Sequence, residues 1–415
     1  MKRLRFTGVS TPHHKQSKPC LCSQIIEHVR SLALFLLLIS TAVLTHGQNH
    51  VLDSTATVSV LTCGPGSEFY TSFGHTAIRI CDTANDIDEV YNYGTFDFDT
   101  PHFYLTFARG RLNYCLSRTS FVTFLQEYIA DGRSVWEQQL NLTQQEKQNL
   151  YVLLQTNYQP EYRYYLYDFF RDNCATRIRD IVNSALCHRT LTYSDETPTD
   201  SYRQLLSQCT KDHLRWWQLG VDIVLGSRCD HQCTPSERMF LPNELMHQFD
   251  KLTLQPGCDP LVTAKYQVLT ENHLKPGHSI SPTVTFWVLF VVMLGVTIIA
   301  WQKKWSLRWM DVVLFSAAGV ASLVIIFLWF LANHYCTKYN WNILWASPIY
   351  LYLAIFPRKK NLIAAITQLV ALATLAVIAV CGIQDFNEAI LPVALTLFIR
   401  TVNLPKTTNN KIKSL

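Results

Sequence analysis

The C-terminal third of the chain is dominated by long apolar runs separated by short polar segments. These runs occupy residues 284–301, 312–332, 341–356, 361–381 and 389–402. A bilayer core of about 30 Å requires about 20 apolar residues in a helix, so runs of this kind are typical of membrane spans. The pattern predicts a helical transmembrane domain over residues 279–403 with five helices.

The basic residues between the runs indicate one orientation in the membrane. If the preceding domain is exported, the basic segments 303–308 and 358–360 and the basic tail 404–415 all fall on the cytoplasmic side. Lys and Arg concentrate in cytoplasmic loops. Four or six spans would put one basic segment on the wrong side, so five spans agree with an extracytoplasmic N-terminal half.

The N-terminal half shows the shorter periodicities of a mixed domain. Strands are predicted near residues 57–63, 75–81, 89–93 and 111–118, where apolar and polar positions alternate or β-rich residues cluster. A capping-box pattern at Thr143 predicts a helix to Gln155, and a second helix is predicted from Asp172 because its apolar residues recur at helical spacing. The fold class is therefore α+β, followed by a helical membrane bundle.

The first residues have the pattern of a secretory signal. Residues 2–5 are basic, residues 32–45 are apolar, and small residues follow up to Gly47. The apolar run is too short to cross a bilayer comfortably, which favours a signal peptide at residues 1–47, cleaved near Gly47, over a retained anchor.

The exported domain is predicted to extend over residues 48–278. From about residue 190 it has many Pro, Ser and Cys residues and one clear helix near 202–208, which predicts a loop-rich extension. The formal net charge of +5 comes mostly from the membrane-flanking segments. No basic cluster with interleaved aromatic residues occurs in the exported sequence, which argues against nucleic acid as a partner.

The exported domain has an odd number of cysteines. There are nine, at positions 63, 81, 115, 174, 187, 209, 229, 233 and 258. At least one is therefore a free thiol, and the other eight either form up to four disulfides or are buried apolar residues. Cys229 and Cys233 flank a histidine, but a second ligand pair is missing, so a disulfide is favoured over a metal site.

Cys174 and His75 are the candidate catalytic pair. Cys174 lies in the first turn of the helix predicted from Asp172, where unpaired N–H groups and the helix dipole favour a thiolate. A thiol nucleophile also needs a base, and His75 follows a glycine at the start of a predicted strand. Each residue alone is more often structural, and the combination in an exported domain is what indicates chemistry.

Three blocks of the exported domain resemble the periplasmic domain of the Lnb-type bacterial lipoprotein N-acyltransferases. The blocks are Cys63–Arg79, Val90–Phe96 and Arg171–Arg177, and the membrane half is similar as well, notably over Lys338–Pro348. The resemblance covers nearly the whole chain after the signal. The blocks that contain His75 and Cys174 are its most specific parts.

The resemblance implies a fold and a third site residue. The periplasmic domain of that family resembles a papain-like NlpC/P60 fold with its chain order circularly permuted, histidine before cysteine, as found here. A polar residue on the next strand commonly orients the histidine in such folds. Asn92 is the candidate, with Tyr91 and Tyr93 beside it, and packing within the sheet is the alternative for all three.

The resemblance also implies an activity. A fatty acyl chain would pass from a membrane phospholipid, through a Cys174 thioester, to the free α-amino group of the lipidated N-terminal cysteine of a lipoprotein. The partners would be phospholipid and lipoproteins, with no cofactor and no metal. The protein would be a multi-pass protein of the bacterial cytoplasmic (inner) membrane with its catalytic domain in the periplasm.

Three polar residues of the membrane half are candidates for substrate binding. His334, Asn340 and Asn342 lie in or beside a connection predicted to face the periplasm. Polar side chains there can hydrogen-bond a lipid headgroup or the enzyme domain. Ordinary interfacial loop structure is the competing interpretation.

Two other functions are compatible with the residues. The first is a membrane-tethered cysteine peptidase or amidase acting on cell-wall peptides, which keeps the fold and changes the substrate. A tether needs only one span, so five spans favour a membrane substrate. The second is a non-enzymatic receptor or assembly factor in which Cys174 is structural.

Overall fold

The alternating segments of the exported half form antiparallel sheets in a computed structural model, which describes residues 50–193, 199–210, 214–271, 280–356 and 362–403. The strands are β1 (Thr57–Cys63), β2 (His75–Asp82), β3 (Ile87–Thr95), β4 (Asn113–Ser120), β5 (Val135–Leu140), β6 (Tyr164–Leu166), β7 (Thr190–Thr192), β8 (Thr253–Gln255), β9 (Asp259–Pro260) and β10 (Val262–Leu269). Within the described residues, one sheet has seven strands in the order β10-β5-β1-β2-β3-β4-β6, and a small sheet has the order β7-β8-β9.

Helices cover both faces of the larger sheet. Those of the exported half are α1 (Phe103–Ala108), α2 (Phe121–Ala130), α3 (Gln144–Tyr158), α4 (Cys174–Ala185), α5 (Tyr202–Thr210), α6 (Arg215–Val224), α7 (Pro235–Arg238) and α8 (Pro242–Lys251). Leu150 of α3 and Ile178 of α4 belong to the main core with alternate residues of β1 to β3. Phe124 and Tyr128 of α2 pack with the other residues of these strands on the opposite face.

The predicted elements before residue 190 are present, with small shifts of their ends. The helix after Thr143 has its capping box, since the Thr143 hydroxyl accepts a hydrogen bond from the Glu146 N–H and the Glu146 carboxylate accepts one from the Thr143 N–H. The helix predicted from Asp172 begins at Cys174. An α+β domain followed by apolar helices is therefore confirmed, whereas the permuted papain-like topology stays a prediction.

The extension from residue 190 contains more regular structure than the sequence pattern predicts. Besides α5, it holds α6, α7, α8 and four strands, and β10 pairs along β5 at the edge of the main sheet. Prolines at the first turns of α7 and α8 supply start signals, and the apolar residues Pro242, Leu245, Met246 and Phe249 of α8 are buried at helical spacing.

The membrane half is built from α9 (Pro282–Lys303), α10 (Arg308–Ile326), α11 (Ile349–Ile355), α12 (Leu362–Val380) and α13 (Ile390–Asn403). A π-helical turn extends α10 to Leu331. Within the described residues, α9, extended α10 and α12 are long and apolar enough to cross a membrane, and α13 is a shorter apolar helix. The buried guanidinium of Arg400 joins three of the helices, since it lies 2.7 Å from Asp311 and donates to Thr297 at 2.9 Å.

The third predicted span, over residues 341–356, is not one helix. It consists of a 3₁₀ turn at Trp341–Leu344 and the seven-residue helix α11. Pro348 separates them, because it lacks an N–H and cannot continue a helical hydrogen-bond ladder. Helix α11 rises only about 10 Å, well short of a bilayer core. The number of membrane crossings stays a prediction, and the signal at 1–47, the basic segment 358–360 and the tail 404–415 lie outside the described residues.

A polar junction joins the exported half to the membrane half. Asp222, buried at the end of α6, accepts hydrogen bonds from Gln218 of the same helix and from Asn387 before α13, both at 2.8 Å. The N–H of Gly226 donates to the Cys336 carbonyl at 2.8 Å, and any side chain at Gly226 would collide with the Lys338 carbonyl. The described residues from Leu52 onward accordingly form one compact unit.

Candidate active site

The candidate catalytic residues meet at one end of the seven-stranded sheet. His75 is the first residue of β2 and pairs with Cys63, the last residue of β1. Asn92 lies near the end of β3. Helix α4 begins at this end with Cys174, so the sheet brings three residues together that are up to 99 positions apart in the sequence.

The start of α4 is held by its N-cap, Asn173. The Asn173 side-chain oxygen accepts hydrogen bonds from the N–H groups of Ala175 at 3.0 Å and Thr176 at 2.9 Å. Its amide nitrogen donates to the carbonyls of Phe169 at 2.8 Å and Phe240 at 2.7 Å. An N-cap of this kind contributes about 1 kcal/mol. With every polar atom of Asn173 used, the position of the next residue, Cys174, is fixed.

Burial opposes ionisation of the Cys174 thiol. Burial raises its pKa to about 11, although the backbone N–H groups of Thr76, Ala175 and Cys174 itself lower it. The thiolate stabilisation expected from the helix start is therefore present but smaller than the cost of burying a charge. The balance of these effects favours the neutral thiol.

His75 is oriented by Asn92. The Nε2 atom of His75 lies 3.3 Å from Oδ1 of Asn92. An amide oxygen can only accept a hydrogen bond, so Nε2 carries the proton and Nδ1 keeps its lone pair. Burial lowers the pKa of His75 to about 4, Asn92 acts in the opposite direction, and the positive charge of Arg133 lowers it further. Both shifts favour the uncharged forms, a neutral imidazole and a neutral thiol.

The neighbouring tyrosines have other partners. The Tyr91 hydroxyl donates to Glu89 at 2.7 Å, and the Tyr93 hydroxyl accepts from Asn157 at 2.8 Å. Both rings belong to the main core, on the face of β3 opposite Asn92. Of the three polar candidates on this strand, the structure brings only Asn92 to His75.

A cavity of about 920 Å³ opens onto the pair, with His75, Asn92 and Cys174 in its wall. Gly94 also lines it, has a φ of +89°, and would place a β-carbon 3.5 Å from the β-carbon of Cys174. One part of the wall comes from β4, α2 and the segment before β5, and it includes the polar side chains of Ser117, Thr119, Thr123, Glu127 and Arg133. Another part is apolar and comes from α5, α6 and extended α10, with Leu206, Val221, Val224 and Leu328.

The three candidates in the membrane half have different positions. His334 lines the cavity, and its Nε2 lies 2.9 Å from the Phe107 carbonyl. Asn340 and Asn342 are buried and do not line it. Their amides donate to the carbonyls of Asp222 and Ile223 at 2.7 to 3.2 Å. The lipid-binding assignment is therefore corrected for these two residues, which bind the end of α6 instead.

The remaining cysteines are free thiols in the described part of the chain. None of the eleven cysteines there forms a disulfide, and no group of three metal-ligating side chains occurs there. Cys229 and Cys233 are both fully buried, which agrees with the alternative of apolar packing. Arg133 and Gly94 were not singled out from the sequence. Of these two residues, only Gly94 could have been found from the sequence, because it lies in the block Val90–Phe96 that carries the family resemblance.

The neutral pair predicts how Cys174 reacts with alkylating agents. With a thiol pKa of about 11, only about one part in ten thousand is ionised at pH 7. We expect the rate of iodoacetamide alkylation at Cys174 to rise about tenfold per pH unit from pH 6 to pH 10. The exposed Cys187 is the internal reference for reagent activity in the same sample. A rate at Cys174 that is flat from pH 5 to pH 8 would instead indicate a thiolate–imidazolium pair.

Two models of known families match this chain. Residues 46–208 match the family model described as the Lnb N-terminal periplasmic domain, which contains His75, Asn92 and Cys174. Residues 274–411 match the Lnb transmembrane domain, which contains His334. Neither a curated protein nor a solved structure matches the chain. Two family models in the expected order cover most of the sequence, and the chain therefore belongs to the Lnb family of lipoprotein-processing enzymes, as an inner-membrane protein with a periplasmic domain.

Proposed function

We propose that this protein moves a fatty acyl chain from a membrane phospholipid, through a thioester on Cys174, to the α-amino group of the lipidated N-terminal cysteine of lipoproteins. The observation that carries the proposal is the cavity, which joins a thiol and an oriented histidine to an apolar wall contributed partly by extended α10. A cavity with that wall suits an acyl chain.

In the first half-reaction, the Cys174 sulfur attacks an ester carbonyl of the donor while its proton passes to Nδ1 of His75. The tetrahedral oxyanion accepts hydrogen bonds from backbone N–H groups, for which those of Cys174 and Thr76 are placed beside the sulfur. When the C–O bond breaks, His75 returns the proton to the leaving alcohol. A lysophospholipid departs and the acyl chain remains as a thioester.

In the second half-reaction, the acceptor amine attacks the thioester carbonyl and His75 takes a proton from the amine. The C–S bond then breaks, the amide forms, and the sulfur recovers the proton from His75. Asn92 stabilises the imidazolium that forms in each half-reaction, since its oxygen accepts from Nε2. At any pH well above 4 His75 is unprotonated and can take the thiol proton, and the hydrogen bond to Asn92 lowers the cost of this uphill transfer.

Exposed aromatic residues beside the cavity support a membrane substrate. Phe98, Tyr104 and Phe107 around α1 are between 47% and 80% exposed. The same segment is fixed to the end of extended α10, because the Asn333 N–H donates to the Arg109 carbonyl at 2.9 Å. Aromatic side chains at the end of a membrane helix are favoured at the lipid–water interface. Phe107 also lines the cavity, so this surface would lead lipid to the catalytic pair.

A cell-wall peptidase would use the same pair with a different substrate. Hydrophilic peptides would gain little from the apolar wall at Leu206, Val221 and Leu328 or from the exposed aromatic residues. A tether needs one membrane span, whereas the described residues contain three helices that are long and apolar enough to cross a membrane. The structure therefore favours the lipid reaction.

The reaction can be tested with the purified full-length protein in phospholipid nanodiscs. A synthetic peptide that begins with diacylglyceryl-cysteine is the acceptor, and mass spectrometry is the measurement. We expect the peptide to gain one acyl chain as an N-terminal amide, with one lysophospholipid released per peptide. The same peptide with an acetylated N-terminus is the control and should remain unchanged. Cleavage of a cell-wall peptide without lysophospholipid release would contradict the proposal.

A further inference from the structure

Arg133 lines the active-site cavity, and its guanidinium has a buried N–H group without a hydrogen-bond partner among the described residues. Arg133 precedes β5, lines the cavity, and is only 6% exposed. Its Nε donates to the Gly64 carbonyl at 2.9 Å, and its guanidinium lies 4.7 Å from the centre of the Tyr128 ring. The nearest carboxylate oxygen, on the half-exposed Asp131, is 3.9 Å away. Nη2 is buried and has no hydrogen-bond partner among the described residues.

Burying the unpartnered N–H group of Arg133 costs free energy unless a ligand accepts a hydrogen bond from it. A buried charged donor that lacks an acceptor loses its hydration with nothing in exchange. Arg118, whose side chain also reaches the cavity wall, lies 3.2 Å from Glu89 and over the ring of Tyr158. Arg203, which is as deeply buried as Arg133, lies 2.6 Å from Asp230. Arg133 thus differs from both in having a charge that the protein itself satisfies only in part.

The surroundings of Arg133 suit an anion that enters with the substrate. Its charge lies close enough to His75 and Cys63 to lower the pKa of each. Tyr128, whose ring the guanidinium faces, belongs to the same part of the wall. The one acidic side chain there, Glu127, is exposed and can point to water. A guanidinium with free N–H groups matches the oxygens of a phosphate better than any other side chain.

We propose that Arg133 binds the phosphodiester of the phospholipid acyl donor. This assignment rests on the proposed function, since it identifies the donor as a lipid with an anionic phosphate next to its acyl esters. Only the glycerol unit separates the phosphate from the ester that Cys174 attacks. A phosphate held at Arg133 would therefore place that ester at the pair and leave the acyl chain to the apolar part of the wall. Neutral diacylglycerols lack the group that Arg133 recognises.

The test is an equilibrium binding measurement on the full-length Cys174→Ser protein, in which no acyl transfer can occur. The probes are dihexanoylphosphatidylglycerol, below its critical micelle concentration, and dihexanoylglycerol, which has the same acyl chains without the phosphate. We expect Arg133→Gln to weaken phospholipid binding by about 10- to 100-fold, the range for a hydrogen bond to a charged group, and to change diacylglycerol binding less than twofold. Arg133→Lys keeps the charge but not the planar pair of N–H donors. It should weaken phospholipid binding less than Arg133→Gln does.

Arg118→Gln is the matched comparison, because that guanidinium is already paired with Glu89. It should affect the two probes equally. Equal weakening of both probes by Arg133→Gln, or no weakening of either, would overturn the inference. A failure of the proposed function would look different. Phospholipid binding would still depend on Arg133, but the protein with Cys174 intact would form no acyl thioester. That result would support the phosphate site and contradict the acyl transfer.

Discussion

Replacing Cys174 with serine is expected to abolish acyl-enzyme formation. A serine hydroxyl is far less acidic than the thiol, so proton transfer to His75, already uphill from the thiol, becomes much more costly. We expect at least a thousandfold loss of N-acylated product, about the scale seen when a nucleophile is removed. The measurement is covalent labelling of the full-length protein by an alkyne-bearing phospholipid, followed by hydroxylamine, which cleaves thioesters.

A second cysteine provides the control for this experiment. Cys81 is on the same strand as His75 but near its other end, paired with Thr57, and it does not line the cavity. Cys81→Ser should keep its hydroxylamine-labile label. A label of unchanged intensity in Cys174→Ser would show that another residue is the nucleophile, and the catalytic assignment would be wrong.

Replacing His75 with alanine is expected to slow both half-reactions by about 10²- to 10⁴-fold, the usual contribution of a positioned base. The thiol would keep its high pKa and lose its proton acceptor, so attack on the ester would need hydroxide. Single-turnover measurements distinguish the two steps, with lysophospholipid release reporting acylation and peptide acylation reporting transfer. Because a neutral imidazole is the active form, the wild-type acylation rate should fall as pH decreases through about 4.

Two further variants show whether the effect belongs to this histidine. His247, exposed on α8 and not in the cavity wall, is the matched control, and His247→Ala should retain activity within about twofold. Asn92→Ala removes the hydrogen bond to Nε2 and should cost about tenfold, since the imidazole remains but its orientation is lost. If His75→Ala loses no more activity than His247→Ala does, His75 is not the base.

Some features of the site could be predicted from the sequence, because they depend on residues that are close to one another in the chain. Asn173 and Thr176 form a capping pair within one turn, which fixes where α4 starts and therefore where Cys174 lies. The strand periodicity places Asn92 on the side of β3 opposite Tyr91 and Tyr93. The contact between Asn92 and His75 could thus be anticipated from two short segments and the strand order that the family resemblance implied.

The electrostatic properties of the site depend on distant residues and could not be predicted in this way. Tyr114 and Tyr167, whose rings stack 4.1 Å apart, come from β4 and from the segment before α4, and both line the cavity. Such packing desolvates Cys174 enough to outweigh the helix start. For Asn340 and Asn342 the sequence left a lipid headgroup and the enzyme domain as alternatives, because their partners are backbone carbonyls of α6, more than a hundred residues away.

The junction at Asp222 has a consequence for how substrates are chosen. Hydrogen bonds from Asn342 and Asn387 attach the end of α6 to the membrane half, so the cavity is joined to the helices of that half. Under the proposed function, an amine would be acylated when its lipid anchor holds it at the height of Cys174, whatever residues follow it. Selection by depth would let one enzyme serve lipoproteins that share no sequence beyond their lipidated cysteine.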